Sequence, residues 1–325
     1  MAFQFTCPYC HAKFIVDDSY RGRAGSCAEC GKPISMPGRA SESSQVAAEQ
    51  ADAHRREADK KRRRAIGLLA RVGGVAAAVG VLLLIGVAYQ QWVAPAMQFA
   101  KTRRDVSGSL VNLKRIAAAL DAYAAEHGRY PPPMISDAAG TPLLSWRVLI
   151  LPQLGRDDLY QRFKLDEHYN SPHNASLQDW MPAEFRGVGV PGMSLSIDTP
   201  FTLITGEGTL FPVAGPLSPA DVTDNPRTTI LLTEGNRTVN LWTAPEDLTL
   251  SRDTNIGIEA NVGVGAGRPY VAPAISVAGL PLFIPNNMSG QELRGLITPR
   301  GGELPNAPAD AWFDFDRAAK IAGGR

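Results

Sequence analysis

The sequence has no cysteine after residue 30. Small exported domains with insufficient hydrophobic cores are held together by disulfides, and this absence excludes such a framework for residues 31–325. That part must therefore fold on a core of its own. With 325 residues, the chain is long enough for two modest domains.

The chain also lacks an excess of charge of either sign. Its net charge is +1 and its pI is about 7.7, so the average composition gives no indication of a nucleic-acid or acidic-substrate binder. This balance hides a local contrast. Eight Lys or Arg residues lie between His54 and Arg71, whereas residues 72–100 contain no charged side chain.

The uncharged stretch predicts one transmembrane helix over residues 66–93. Residues 72–89 form an apolar run of 18 residues, and about 20 helical residues cross a hydrocarbon core of roughly 30 Å. Tyr89 and Trp92 are typical of an interfacial aromatic belt. The alternatives are a cleaved signal peptide, which the long preceding segment argues against, and a buried core helix.

The basic block predicts the orientation of this helix, because cytoplasmic flanks carry the excess of Lys and Arg. The flank after the span has no basic residue until Lys101. We therefore expect a single-pass protein of the cytoplasmic (inner) membrane, with its N-terminus in the cytoplasm and an exported domain at residues 101–325.

Catalytic motifs are missing as well. No G-x-S-x-G, Walker or H-E-x-x-H motif occurs, and we expect no enzymatic activity. The glycines of the G-x-G-x-x-G stretch at 187–192 match a dinucleotide fingerprint in letters only. Pro191 stands where the required helix should already be running, so a cofactor cradle is not predicted.

One segment keeps a chemical alternative open. The loop 164–174 contains four side chains that could serve as metal ligands or as a general acid and base: Asp166, Glu167, His168 and His173. Asn, Ser and Pro residues in the same segment favour a structural polar loop. An envelope hydrolase using this loop is the catalytic alternative.

The four cysteines form the pattern C-x2-C-x16-C-x2-C, with ligands Cys7, Cys10, Cys27 and Cys30. Two C-x-x-C turns at this spacing are typical of a zinc ribbon, here residues 1–40, holding one structural Zn²⁺. The sequence "CPYC" also suggests a redox dithiol. That interpretation lacks the βαβ context of a thioredoxin-like fold, and the second cysteine pair favours the metal.

Residues 41–65 are predicted to form a basic linker between the ribbon and the span, and residues 41–58 within it are typical of a linker or a mobile helix. Basic residues beside a ribbon suggest nucleic acid, but their position next to the membrane favours a role in topology and contact with anionic lipid headgroups. We therefore expect membrane lipid, and not nucleic acid, as the partner of this segment. No small-molecule ligand is indicated.

The exported part predicts an α+β fold. Leu110, Leu113, Ile116, Leu120 and Tyr123 lie on one helix face, which Gly128 terminates. Short β-like runs follow at 201–206, 228–233 and 238–242, and the Gly-Asn pair at 235–236 predicts a hairpin between the last two. We interpret Glu234 as a residue of this hairpin turn, and we expect Trp242 to be buried in the core. A long helix packed on an irregular antiparallel sheet is the expected arrangement.

Several blocks carry a family resemblance, in order over residues 110–304: "NLKRIAAALDAYAAEHGRYPP", "GTPLLSWRVLILPQL", "LYQRFKLDEHYNSPHN", "TILLTEGNRTVNLWTAPEDL" and "LRGLITPRGGE". They resemble the planctomycete pilin-like family of unknown function, whose members are similar to type II secretion pseudopilins. The resemblance implies a helix leading from the membrane into a globular head. One feature differs from a prepilin: Gly73-Gly74 is followed by "VAAAV" without a Glu, which predicts a permanent anchor.

These features together predict a non-catalytic, membrane-anchored envelope protein with a cytoplasmic structural zinc ribbon and a pilin-like exported interaction domain. We expect protein partners in the envelope. The first alternative is a transmembrane anchoring or signalling protein whose ribbon binds a cytoplasmic partner. The second is the envelope hydrolase described above.

Overall fold

A computed structural model describes residues 1–190, 197–212, 214–235, 241–250, 263–265, 267–302 and 309–323. The chain divides into two compact units, Met1–Ala88 and Tyr89–Arg325. Its elements are a mixture of helices and small irregular sheets, in agreement with the expected α+β class.

The first unit begins with two short hairpins. Strand β1 (Ala2–Thr6) pairs antiparallel with β2 (Lys13–Asp17), and β3 (Ala24–Ser26) pairs antiparallel with β4 (Pro33–Ser35). Each hairpin has a C-x-x-C pair at its turn. The two hairpins share a small core of Phe5, Cys7, Cys27 and Ile34. So small a core provides little hydrophobic stabilisation, and a metal is the usual supplement in domains of this size.

Helix α1 (Arg39–Ala88) follows the hairpins, and the segment 41–65 predicted as a linker is helical throughout. Among the described residues, one helical stretch, Val46–His127, is long and apolar enough to cross a membrane by its length and composition. It contains a window of 18 residues with a mean hydropathy of 2.3, none of which is buried within the protein.

The second unit begins with a π-helical turn at Tyr89–Val93, followed by α2 (Ala94–His127). The predicted apolar face is confirmed, because Leu113, Ile116 and Leu120 are fully buried. Gly128 ends the helix as expected. Its φ of 80° is a left-handed conformation that glycine adopts without a Cβ clash, and its N–H donates to the carbonyl of Ala124.

The remaining elements are short. The strands are β5 (Met134–Ser136), β6 (Pro142–Ser145), β7 (Phe201–Thr202), β8 (Ile204–Thr205), β9 (Ile230–Glu234), β10 (Leu248–Thr249), β11 (Val271–Ser276) and β12 (Pro281–Pro285). The helices are α3 (Trp146–Leu149), α4 (Asp157–Tyr160), α5 (Pro172–Ala175), α6 (Gly290–Ile297) and α7 (Phe315–Ile321).

The main sheet has four antiparallel strands in the order β12-β11-β9-β7. Every residue of β11 is buried, because the sheet is covered on both faces. Val271 and Ile275 belong to the cluster that includes the apolar face of α2, whereas Ala272 and Ala274 pack in the cluster of α6. This alternation is the period of two that a strand imposes on its side chains.

Two details differ from the sequence-based expectation. The predicted hairpin between 228–233 and 238–242 is not formed by the described residues. Both edges of β9 are occupied by β7 and β11, and Leu241 makes an isolated bridge to Asp198. Residues 236–240, which contain part of the predicted turn and most of the second predicted strand, lie outside the described residues. In addition, β8 and β10 pair in parallel, whereas the prediction was purely antiparallel.

Candidate metal centre

The four predicted ligands lie together. Cys7 Sγ is 3.9 Å from Cys30 Sγ, Cys10 Sγ is 3.7 Å from Cys27 Sγ, and all four sulfurs lie within 4.8 Å of one another. All four are free thiols. Among the cysteine, histidine and acidic side chains in the described part of the chain, these four cysteines form a group that could hold a metal ion. Four protein ligands would complete a tetrahedral shell and leave no position for a substrate.

The two C-x-x-C turns have the same backbone structure. The N–H of Cys7 donates to Ala12 O at 2.9 Å, and the N–H of Cys27 donates to Lys32 O at 2.9 Å. The residue after the second cysteine of each turn is left-handed, with φ of 61° at His11 and 67° at Gly31. This repeated turn directs two thiols of each hairpin toward the same centre.

Local hydrogen bonds and burial give the thiols of Cys7 and Cys10 different pKa values. At Cys7, burial opposes ionisation, but the backbone amides of Cys10 and Tyr9 donate to the sulfur and lower its pKa to about 7. At Cys10, the amide of Ala12 favours the thiolate, but burial and the neighbouring sulfurs raise its pKa to about 12. A cation bound among the four sulfurs would favour the thiolate form of each.

The left-handed position after each cysteine pair provides a test. We expect Gly31→Ala to weaken metal retention by about 5- to 30-fold, because a left-handed alanine costs about 1–2 kcal/mol. An added Cβ at Gly31 meets no atom within 4 Å, so the effect is purely conformational. Gly25→Ala is the matched control, because Gly25 is equally open and has no positive φ. His11→Gly should not weaken retention.

Competition with a chelator on the purified chain measures these affinities. Equal affinities for the Gly31→Ala and Gly25→Ala variants would contradict the turn geometry described above.

The loop 164–174 is organised around a buried asparagine. The side-chain amide of Asn174 donates to the carbonyls of Lys164 at 2.9 Å, Glu167 at 3.0 Å and His168 at 3.3 Å. Its Oδ1 accepts from the N–H of Lys164 at 3.1 Å. Asn174 therefore satisfies backbone groups of the loop, which is the structural role that the sequence favoured.

All residues of the loop 164–174 are described. Its four candidate side chains do not form a metal-binding group: Asp166, Glu167, His168 and His173. His168 Nδ1 accepts from the N–H of Asn170 at 3.2 Å. His173 Nε2 lies 2.8 Å from the carbonyl oxygen of Arg162, which can only accept, so Nε2 carries the proton. Both imidazole rings therefore form hydrogen bonds with nearby backbone groups.

The glycines near 187–190 have packing roles. A Cβ on Gly187 would lie 2.7 Å from Pro200, and a Cβ on Gly189 would lie 2.3 Å from the carboxylate of Asp105 on α2. These glycines therefore permit close contact of the loop with neighbouring chain segments. The third glycine of the fingerprint, Gly192, lies outside the described residues.

A buried ion pair between Arg147 and Asp247 has no counterpart among the sequence-based predictions. Their side chains are 0% and 3% exposed, and Nη2 of Arg147 lies 3.1 Å from Oδ1 of Asp247. The same carboxylate accepts from the indole N–H of Trp146, the hydroxyl of Thr202 and the N–H of Leu203 at 3.0 Å each. Burial raises the pKa of Asp247, and these donors oppose that shift by stabilising the carboxylate.

A second buried pair corrects the interpretation of Glu234. This residue was explained by a hairpin turn, but it ends strand β9 and is fully buried. Arg268 donates to both of its carboxylate oxygens, at 2.5 and 2.9 Å. Arg268 also donates to Ser109 Oγ on α2 and to the carbonyl of Val188. The pair thus joins the helix, the sheet and the 187–190 loop. Trp242 is fully buried, as predicted.

Comparison with known proteins finds one family. No curated protein and no solved structure matches the chain. The family match does not extend to the four-cysteine segment, and it fits the unknown-function family that the sequence resembles. Over residues 108–255, this chain is similar to the family described as "Protein of unknown function (DUF1559)".

Proposed function

We propose that the chain is a non-catalytic, membrane-anchored envelope protein. A cytoplasmic zinc ribbon lies at its N-terminus, and a pilin-like domain for protein interactions is exported. The observation that supports this proposal most directly is the apolar window of the helical stretch Val46–His127, where none of 18 consecutive residues is buried by the rest of the protein. A fully exposed apolar surface of this length is costly in water and is satisfied by a bilayer.

The orientation is part of the same proposal. Eight basic residues precede the apolar stretch, and the first basic residue after it is Lys101. This asymmetry favours a cytoplasmic ribbon, where thiols remain reduced and available to a metal.

Zinc is the proposed ion. Four sulfurs about 2.3 Å from a tetrahedral zinc lie about 3.8 Å from one another. The distances between the two hairpins, 3.9 Å from Cys7 Sγ to Cys30 Sγ and 3.7 Å from Cys10 Sγ to Cys27 Sγ, fit this geometry. Iron also accepts four thiolates in a tetrahedron, so metal analysis of the purified chain must distinguish the two.

The pilin-like arrangement is supported by α2. This helix of 34 residues follows the apolar stretch along the chain and packs its apolar face on β9 and β11. We propose that the short strands and loops around the sheet present the interaction surface. The absence of a Glu after Gly73-Gly74 favours an anchored protein over a processed filament subunit.

Membrane insertion is tested by alkaline carbonate extraction of native membranes. We expect the chain to remain in the membrane pellet, and the double variant Leu82→Arg, Leu83→Arg to become extractable. Each Arg near the centre of a span costs about 2.5–3.5 kcal/mol on insertion scales. Leu82→Ile, Leu83→Ile is the matched control. Extraction of the unmodified chain would overturn the anchoring proposal.

The interaction role is tested by crosslinking in native membranes, followed by mass spectrometry. The proposal predicts crosslinks from residues of the exported domain to specific envelope proteins. Secretion or pilus components among them would support the pseudopilin-like assignment, and their consistent absence would count against it.

A second candidate function is transmembrane anchoring or signalling through the ribbon. Four large hydrophobic side chains are exposed on this small module, Met1, Tyr9, Ile15 and Tyr20, and Ile15 is 84% exposed. Such residues are candidates for a docking surface. If the ribbon binds a cytoplasmic protein, Ile15→Glu should remove its crosslinks and leave metal content unchanged. Retained crosslinks would exclude this surface.

A further inference from the structure

A groove of 770 Å³ lies at the beginning of the second unit. Its lining combines the π-helical turn, the first turn of α2 and two distant parts of the chain: Gln90, Gln91, Trp92, Pro95, Ala96, Tyr270 and Gly323. Nothing in the family match assigns it, because the matched residues begin at 108.

Two backbone irregularities occur at this groove. Tyr89–Val93 is π-helical, a departure from the α-helix that often marks functional sites. Tyr270 has a φ of 73°, a left-handed conformation unfavourable for any residue with a Cβ. Its carbonyl accepts from the N–H of Asn286 at 2.9 Å, and its ring lies 5.7 Å from that of Phe99. These contacts hold the Tyr270 ring at the groove despite the strain.

The chemistry of the lining indicates the occupant. None of the described lining residues is charged. Trp92 is 74% exposed, and indole and phenol rings favour the headgroup layer of a membrane, where their faces also attract cations. The amides of Gln90 and Gln91 offer donors for phosphate or ester oxygens. Since Gln90 directly follows the apolar run 72–89, the groove belongs to the segment that leaves the hydrocarbon core.

We infer that the groove binds one zwitterionic phospholipid from the surrounding leaflet, with its ammonium group on the aromatic rings and its phosphate at the glutamine amides. This inference rests on the proposed membrane anchor. The bound lipid would fix the exported domain at the membrane surface, because it contacts both the helix and the distant Tyr270 and Gly323.

The test is native mass spectrometry of the full chain, purified from vesicles of phosphatidylethanolamine and phosphatidylglycerol. We expect one phosphatidylethanolamine per chain to survive detergent washing, with about tenfold preference over phosphatidylglycerol. Trp92→Leu and Tyr270→Gly should each lower lipid occupancy about tenfold. The glycine also relieves the positive φ, so loss of lipid in that variant is not explained by new backbone strain.

Tyr89→Leu is the matched control, since Tyr89 is an exposed aromatic beside the groove that does not line it. Its lipid occupancy should stay within about twofold of the unmodified chain. Four results would overturn the inference: no retained lipid, preference for phosphatidylglycerol, equal losses in Tyr89→Leu and Trp92→Leu, or a second copy or peptide retained instead of lipid. If carbonate extracts the chain from membranes, the anchor itself fails. If the chain stays in the pellet and no lipid is retained, only the groove inference fails.

Discussion

We expect Cys27→Ser to abolish metal binding and to unfold the ribbon, while the second unit keeps its fold. A structural four-cysteine site contributes an apparent binding free energy on the order of 10–16 kcal/mol at neutral pH, which far exceeds what a small core provides. Cys27 is also part of that core, together with Phe5, Cys7 and Ile34. The two cysteine hairpins belong to the unit Met1–Ala88, which is distinct from the second unit, Tyr89–Arg325, so loss of the hairpins should not melt the second unit.

Metal content per chain and limited proteolysis measure this outcome. The unmodified chain should contain one metal ion and resist cleavage within residues 1–38, whereas the variant should contain none and be cleaved there. Ser26→Ala, at the neighbouring position, should behave as the unmodified chain. A Cys27→Ser variant that keeps its metal would contradict the four-thiolate site.

The second large effect concerns the buried pair Arg147–Asp247 in the second unit. We expect Asp247→Asn to lower the free energy of unfolding of this domain by about 3–5 kcal/mol, because Arg147 then remains charged and buried without its partner. That is a large part of the 5–15 kcal/mol typical of a domain. Denaturant unfolding, followed by tryptophan fluorescence, measures the change.

An exposed ion pair supplies the control. Asp310 lies 3.6 Å from Arg317, and both side chains are mostly exposed, so Asp310→Asn should change the stability by less than about 1 kcal/mol. Adding Arg147→Met to Asp247→Asn should recover part of the loss, since it removes the unpaired charge. If the free energy of unfolding of Asp247→Asn lay within 1 kcal/mol of that of the unmodified chain, the Arg147–Asp247 pair would not be important for stability.

The sequence predicted features that depend on local spacing. The cysteine pattern identified the four side chains that lie together, because each C-x-x-C turn is set by a few neighbouring residues. The apolar face of α2 and its end at Gly128 also follow from local rules, namely a period of 3.6 residues and a glycine without a Cβ.

Features that depend on distant partners were missed. Arg147 and Asp247 are 100 positions apart, and Glu234 and Arg268 are 34 apart, so no local pattern distinguishes them from surface charges. Sheet order is non-local as well: β9 takes β11 and β7 as neighbours, so a turn signal beside it predicted the wrong pairing. The strained Tyr270 and the groove it lines also arise only when distant segments meet.

Under the proposed topology, the cysteine hairpins and the α+β domain lie on opposite sides of a membrane. Two valines of nearly equal exposure test it: Val46, 55% exposed before the apolar window, and Val111, 53% exposed after it. Each is replaced by cysteine, and intact spheroplasts are treated with a membrane-impermeant maleimide. We expect labelling of Val111→Cys in intact spheroplasts, and labelling of Val46→Cys above that of the unmodified chain, which has four free thiols, only after lysis. Labelling of both variants, or of Val46→Cys alone, in intact spheroplasts would contradict it.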